Sequence, residues 1–141
     1  MCRFMSLNFE PLVKNRARNF GKYITLDKQG RIMLSAEFRR EFSPIQYEKQ
    51  IPFDVFVFLE KSRKIIGIVN AEKERMVASE KLKIDRRGYA QGKDIAEAFR
   101  LDPKQGPYRF TYEGRSGHEG YTLDTFRLVE RSEKLVEAEA E

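Results

Sequence analysis

Apolar positions along this chain fall into short blocks separated by polar turns, and the spacing changes from block to block. Tyr23-Ile24-Thr25-Leu26 is β-branched, aromatic and apolar, which predicts a strand. Asp27-Lys28-Gln29-Gly30 follows as a turn, because Asp can bond the amides ahead of it and Gly30 accepts positive φ without a Cβ penalty. Arg31-Ile32-Met33-Leu34 then returns as the second strand of a hairpin. Beyond it the period changes. Leu34, Phe38 and Phe42 recur every four residues and predict a short helix with one apolar stripe. Ser35 stands at its N-cap and Glu37 in its first turn. Arg39 and Arg40 fall off the stripe and are expected to face solvent. Ser43-Pro44 ends the helix, and residues 45–50 read as a polar connector. Phe53 to Leu59 is strand-like with little alternation, so both of its faces are expected to be covered. A charged turn, Glu60 to Lys64, leads to a return strand, Ile65 to Val69.

After a polar segment over residues 71–81, read as a connector with room for a helical turn or two, the series restarts. Asp85 and Gly88 repeat Asp27 and Gly30 at a shift of 58. Asp94-Ile95-Ala96-Glu97 has the pattern of a capping box opening a second short helix, with Ile95, Ala98, Phe99 and Leu101 on its apolar side. Asp102 to Pro107 is a loop. Tyr108 to Tyr112 alternates as a strand, Glu113 to Gly120 reads as a Gly-rich turn, and Tyr121 to Val129 as the return strand. Glu60 matches Glu113, and Gly67 matches Gly120, at a shift of 53. The order hairpin, helix, hairpin therefore occurs twice and predicts an internal tandem duplication. The expected divisions are residues 1–22, a basic arm; 23–70, a first ββαββ unit; 71–81, a connector; 82–129, a second unit; and 130–141, an acidic tail. One such unit is too small to bury its apolar faces alone, so the two are expected to pair as a pseudo-dimer. The expected fold class is mainly β with short helices.

Charge changes this picture in one respect. The net charge of +5 is unevenly spread: residues 1–70 hold 13 Lys/Arg against 7 Asp/Glu, residues 71–128 hold 12 against 10, and residues 129–141 hold 2 against 5. The excess favours an anionic partner and places it on the first half. The segment before Lys22 contains Lys14, Arg16 and Arg18. It reads either as a solvated leader or as an arm touching nucleic-acid phosphates. The acidic tail reads as a frayed terminus, with phosphate mimicry or partner binding as the sharper alternative. Cys2 is the single cysteine, which excludes an internal disulfide and a Cys-based metal cluster within one chain. No apolar run reaches the length of a membrane span or of a signal-peptide core. A cytoplasmic protein is expected.

The ordered series Leu26-Asp27, Gly30-Arg31, Ile32 to Leu34, Glu37, Arg39-Arg40 and Phe42 resembles the AbrB/MazE/SpoVT-type and MraZ-type DNA-binding domains. These are swapped-hairpin barrels of bacterial and phage regulators. The family usually has Pro where this chain has Ser35. The resemblance implies two tandem AbrB-like units forming a swapped-hairpin barrel, and a transcriptional regulator that binds double-stranded DNA. It implies DNA contacts at Arg31, Arg39 and Arg40, with Lys28 in the adjacent turn. Arginine suits that task because its planar fork pairs bidentately with phosphate and with guanine. In the second unit Tyr89 takes the place of Arg31, and Arg86, Arg87 and Lys93 are the candidate phosphate contacts. One strong and one weak half-site are expected.

Enzymatic chemistry finds little footing. His118, the single histidine, lies in Ser116-Gly117-His118-Glu119-Gly120, a setting for a solvated loop residue rather than a triad. There is no phosphate-cradling loop and no metal-ligand spacing, so no cofactor, metal or catalytic residue is expected. The alternative function is a protein-interaction factor, antitoxin-like or a phage anti-host protein, built on the same scaffold. No membrane contact is expected, and association beyond the internal pseudo-dimer, including a homo-oligomer, is left open.

Overall fold

The computed structural model describes residues 21–73 and 80–129. In chain order the elements are β1 (Tyr23–Leu26), β2 (Arg31–Leu34), α1 (Ala36–Phe42), α2 (Pro44–Lys49), β3 (Phe53–Glu60), β4 (Ile65–Asn70), β5 (Lys81–Ile84), β6 (Tyr89–Gln91), α3 (Lys93–Ala98), β7 (Tyr108–His118) and β8 (Tyr121–Leu128). A 3-10 turn at Pro103–Gln105 precedes β7. No helix among the described residues is long and apolar enough to cross a membrane.

The eight strands form one antiparallel sheet in the order β5-β3-β4-β8-β7-β1-β2-β6. Its two outermost strands, β5 and β6, are consecutive in the chain and joined by the turn at Asp85–Gly88, so the sheet rolls into a nearly closed barrel. Local hairpins supply the pairs β1–β2, β3–β4 and β7–β8. Every other pair links distant parts of the chain. β1 lies against β7 (Ile24 opposite Phe110), β3 against β5 (Val55 opposite Leu82), β2 against β6 (Ile32 opposite Ala90) and β4 against β8 (Ile66 opposite Phe126).

Alternation along the strands decides what fills the barrel. Ile24, Leu26, Ile32, Leu34, Ile66, Ile68, Ile84, Phe110 and Phe126 are fully buried in one cluster. Phe38 of α1 closes it, with its ring centroid 4.8 Å from both Phe42 and Phe126. β3 faces two ways, as its unalternating sequence predicts. Phe53, Val55, Val57 and Leu59 join the main cluster, whereas Phe56 and Phe58 join a second cluster with Val69, Leu123, Ala71 and Tyr121. Leu123 lies directly on Gly67, in space that a Cβ would occupy.

The expected hairpin strands β1 and β2 form over the residues anticipated, and so does the helix after Ser35. That serine does two jobs. Its buried Oγ accepts from the Phe38 amide at 3.4 Å, as an N-cap does, and from the Tyr23 amide at 3.1 Å. The two Asp-x-x-Gly turns are built alike. Asp27 Oδ1 accepts from the amides of Gln29 and Arg31, and Asp85 Oδ1 from those of Arg87 and Tyr89. Gly30 and Gly88 each take positive φ.

Elsewhere packing overrides the local pattern. Residues 45–50 are not simply a connector: Pro44 sits in the first turn of α2, where a missing amide costs nothing. The capping box at Asp94 does not form. Helix α3 starts after Gly92, which provides no side-chain cap but whose amide bonds the Gly30 carbonyl at 2.9 Å. A Cβ there would crowd Ile32, Leu26 and the Gly30 carbonyl, so close packing where β2 begins and β6 ends sets this helix start. The Gly-rich stretch from Glu113 is not a turn. β7 continues to His118 through a bulge between Tyr112 and Gly114, because pairing with β8 satisfies its backbone. Gly67 lies inside β4, while Gly120 lies in the β7–β8 turn, so these two do not hold corresponding places.

Gly88 should tolerate change less well than Gly30. A Cβ at Gly30 meets nothing within 4 Å, so Gly30→Ala meets only the positive-φ strain of about 1–2 kcal/mol. A Cβ at Gly88 would sit 2.5 Å from the Arg39 guanidinium and 2.8 Å from the Leu34 carbonyl. Gly88→Ala is expected to lose roughly 1–3 kcal/mol more through overpacking. Urea unfolding of the two variants measures the difference; equal losses would show that Arg39 and Leu34 yield freely. Ser35→Ala is expected to cost about 1–2 kcal/mol in the same assay, because it removes the cap and orphans the buried Tyr23 amide.

Candidate nucleic-acid interface

The candidate site is built on the β2–β6 ribbon. Ile32, Leu34 and Ala90 point into the barrel. By alternation Arg31, Met33, Tyr89 and Gln91 point outward, with Arg31 opposite Gln91 and Met33 opposite Tyr89. Because the strands are antiparallel, the Asp27–Gly30 turn lies at one end of the ribbon and the Asp85–Gly88 turn at the other. Each is tied to the opposite strand's end: the Gly30 carbonyl accepts from Gly92 and the Gly88 carbonyl from Leu34.

Arg31 is oriented rather than free. Its Nε donates to Asp27 Oδ2 at 2.9 Å, and its guanidinium lies 4.5 Å from the Tyr89 ring centroid. Arg87 approaches the same ring at 5.4 Å. Tyr89 and Arg31 therefore pack against each other across the ribbon, and the tyrosine ring lies within reach of both cations. Lys28 and Lys93 line a cleft beside the first turn, where Lys104 joins them. Arg86 and Arg87 line a cleft beside the second turn, together with Arg39, Tyr47 and Glu48. Arg86, Arg87, Lys28 and Lys93 are exposed.

Arg39 departs from expectation. It does not project into solvent: its Nε donates to the Leu34 carbonyl at 2.9 Å and its Nη1 reaches the Arg86 carbonyl at 3.4 Å. Partial burial lowers its pKa from the usual arginine value. It fastens α1 to the second turn because the end of β2 leaves the Leu34 carbonyl in reach. Arg40 is exposed as expected. Tyr47, which the sequence did not single out, lies between the two, 5.3 Å from Arg39 and 5.4 Å from Arg40. Gln91 was not singled out either; only the alternation around Ala90 marks it. Lys14, Arg16 and Arg18 lie outside the described residues. His118 lies at the far hairpin, its ring 5.3 Å from Phe58. No cluster of three His, Cys, Asp or Glu side chains suited to a metal occurs among the described residues.

Each turn of the ribbon carries a carboxylate, Asp27 in one and Asp85 in the other, and Glu97, Asp102 and Glu48 line the clefts beside them. Burial opposes ionisation of Asp27, but bonds from the Arg31 amide, the Arg31 guanidinium and the Gln29 amide outweigh it and hold its pKa below the usual 3.8. Asp85 follows suit: burial opposes its charge, and the amides of Tyr89 and Arg87, with the nearby Arg87 charge, lower its pKa below 3.8. A depressed folded-state pKa gives stability that is present above the unfolded value and lost as pH falls through the folded one. Stability is therefore expected to decline as pH drops below about 3.8. Asp27→Asn and Asp85→Asn should each flatten that acid limb in denaturation series from neutral pH downward. Asp27→Asn should lose more at neutral pH, since only Asp27 also takes a guanidinium bond; unchanged acid limbs in both variants would refute the assignment. Comparison with models of protein families, with curated proteins and with solved structures returned no match to this chain in any of the three.

Proposed function

We propose that the protein is a DNA-binding regulator that presents the β2–β6 ribbon to duplex DNA. The observation that carries this reading is the arrangement of cations about the ribbon: Arg31 on its outer face, Lys28 and Lys93 beside one end, Arg86 and Arg87 at the other. A major groove about 12 Å wide admits a two-stranded β-ribbon, and the phosphates bordering it would meet basic clefts at both ends. Phosphate contacts position such a protein and outward side chains meet base edges. Arg39 takes no leading part in this reading, because its Nε and Nη1 serve backbone carbonyls.

The same reading treats residues 23–70 and 82–129 as two tandem AbrB-like units joined by 71–81. It is supported by the two like-built aspartate turns. It is also supported by the strand order, which reads the same around the barrel when β1–β4 are exchanged for β5–β8. The ribbon is then the place where the units meet, so both contribute to one surface. The alternative, a protein-interaction factor, draws on Ile45 and Ile51, which flank Tyr47 and are 61% and 44% exposed.

The test is titration of a labelled duplex at several salt concentrations. Salt-dependent binding is expected, and Lys28→Ala, Arg86→Ala, Arg87→Ala and Lys93→Ala should each lower the slope of log K against log salt by roughly 0.9 where a phosphate contact is lost. Slopes unchanged in a variant carrying all four substitutions, or no binding at low salt, would refute the reading.

A further inference from the structure

Three features of the ribbon's outer face bear on what it reads. First, Arg31 and Gln91 are directly opposed in the β2–β6 register, so their side chains leave the ribbon as neighbours. Second, Asp27 takes the Arg31 Nε, which leaves the two terminal amino groups as the donors open to a ligand. The aspartate and the Tyr89 ring together fix the plane of that fork before any ligand arrives. Third, Gln91 is exposed, and its carboxamide makes no hydrogen bond among the described residues. A glutamine in the last pair of the ribbon, facing an arginine whose charge is already held in place by Asp27, adds nothing to phosphate attraction. Its amide offers one donor and one acceptor side by side, the complement of adenine N7 and N6 in the major groove. The fork of Arg31 complements guanine O6 and N7 in the same groove.

Building on the duplex-binding reading, we infer that Gln91 and Arg31 are the specificity-determining pair of the ribbon, taking an adenine and a guanine in neighbouring base pairs. Lysines and arginines at the ribbon ends set affinity and salt dependence, while this pair sets sequence preference. Salt separates Gln91 from every cation of the ribbon, Arg31 included. An uncharged amide releases no counterion, so its removal leaves the salt slope alone.

The experiment selects duplexes from a randomised pool with the wild-type protein, Gln91→Ala and Gln91→Glu, then titrates the selected duplex and its single-base variants at one salt concentration. Gln91 is exposed, so both variants should fold, and unchanged circular dichroism spectra check this. Wild type should prefer adenine at one position by about tenfold or more over other bases. Gln91→Ala should lose that preference while keeping its salt slope and its affinity for unselected DNA. Gln91→Glu should move the preference toward cytosine, whose N4 amino group donates to a carboxylate. If Gln91→Ala keeps the wild-type preference at every position, the assignment of Gln91 is wrong while duplex binding stands. If the wild-type protein binds no duplex at low salt, both readings fall.

Discussion

Backbone pairing between strands far apart in the chain is what the rest of this molecule depends on. The hairpin of β1 and β2 buries four aliphatic side chains on one face, too little for a hairpin to persist in water. It becomes part of a core because β7 adds Phe110 on one side and β6 adds Ala90 on the other. β4 and β8 do the same at the opposite wall, placing Ile66 beside Phe126. The barrel thus has no half that is complete alone, and helix α1 spans the join by packing Phe38 on Phe126. The outer ribbon inherits its rigidity from this closure. Its side chains stand on strands whose inner residues are fully buried.

A basic surface also needs its charges arranged, and the two aspartate turns show how. Asp27 and Asp85 direct an oxygen each at backbone amides, so their charge stabilises the turn. The second oxygen of Asp27 holds the Arg31 side chain in place. Arg39 is a cation in composition but a clasp in structure, bonded to carbonyls at Leu34 and Arg86. Counting basic residues along the chain therefore overstates the charge available to a partner. Lys28, Lys93, Arg86 and Arg87 beside the ribbon ends are exposed, so their charge does reach solvent.

Where a segment's structure depended on its own residues, it was readable in the sequence. Tyr23 to Phe42 carries its turn, cap and helix stripe within twenty residues, and the structure follows them. Phe53 to Leu59 announced two covered faces by its lack of alternation. What could not be read were features decided by a distant neighbour. Gly92 starts α3 because Ile32 and Leu26 leave no room for a side chain. The Gly-rich end of β7 is strand because β8 lies alongside it. Arg39 turned inward because a carbonyl of β2 and a turn 47 positions away in the chain came within its reach. Helix α2 is a different case, since Pro44 in its first turn is a local signal that marks a helix start as readily as a helix end.

The crossing of strands has a bearing on how the protein is made. A ribosome releases the chain from its N-terminus, and β1 to β4 emerge first. Each of them then waits for a partner made later: β2 for β6, β3 for β5, β1 for β7 and β4 for β8. The barrel closes only once Leu128 has cleared the exit tunnel. Contacts of such long sequence separation form slowly, and unpaired strand edges persist while they do. Phe53 to Leu59, with large apolar side chains on both faces and Asp54 as its one charge, is a segment prone to mispairing in that interval. It is followed immediately by Glu60, Lys61, Arg63 and Lys64, the kind of charged flank that disfavours extension of such pairing.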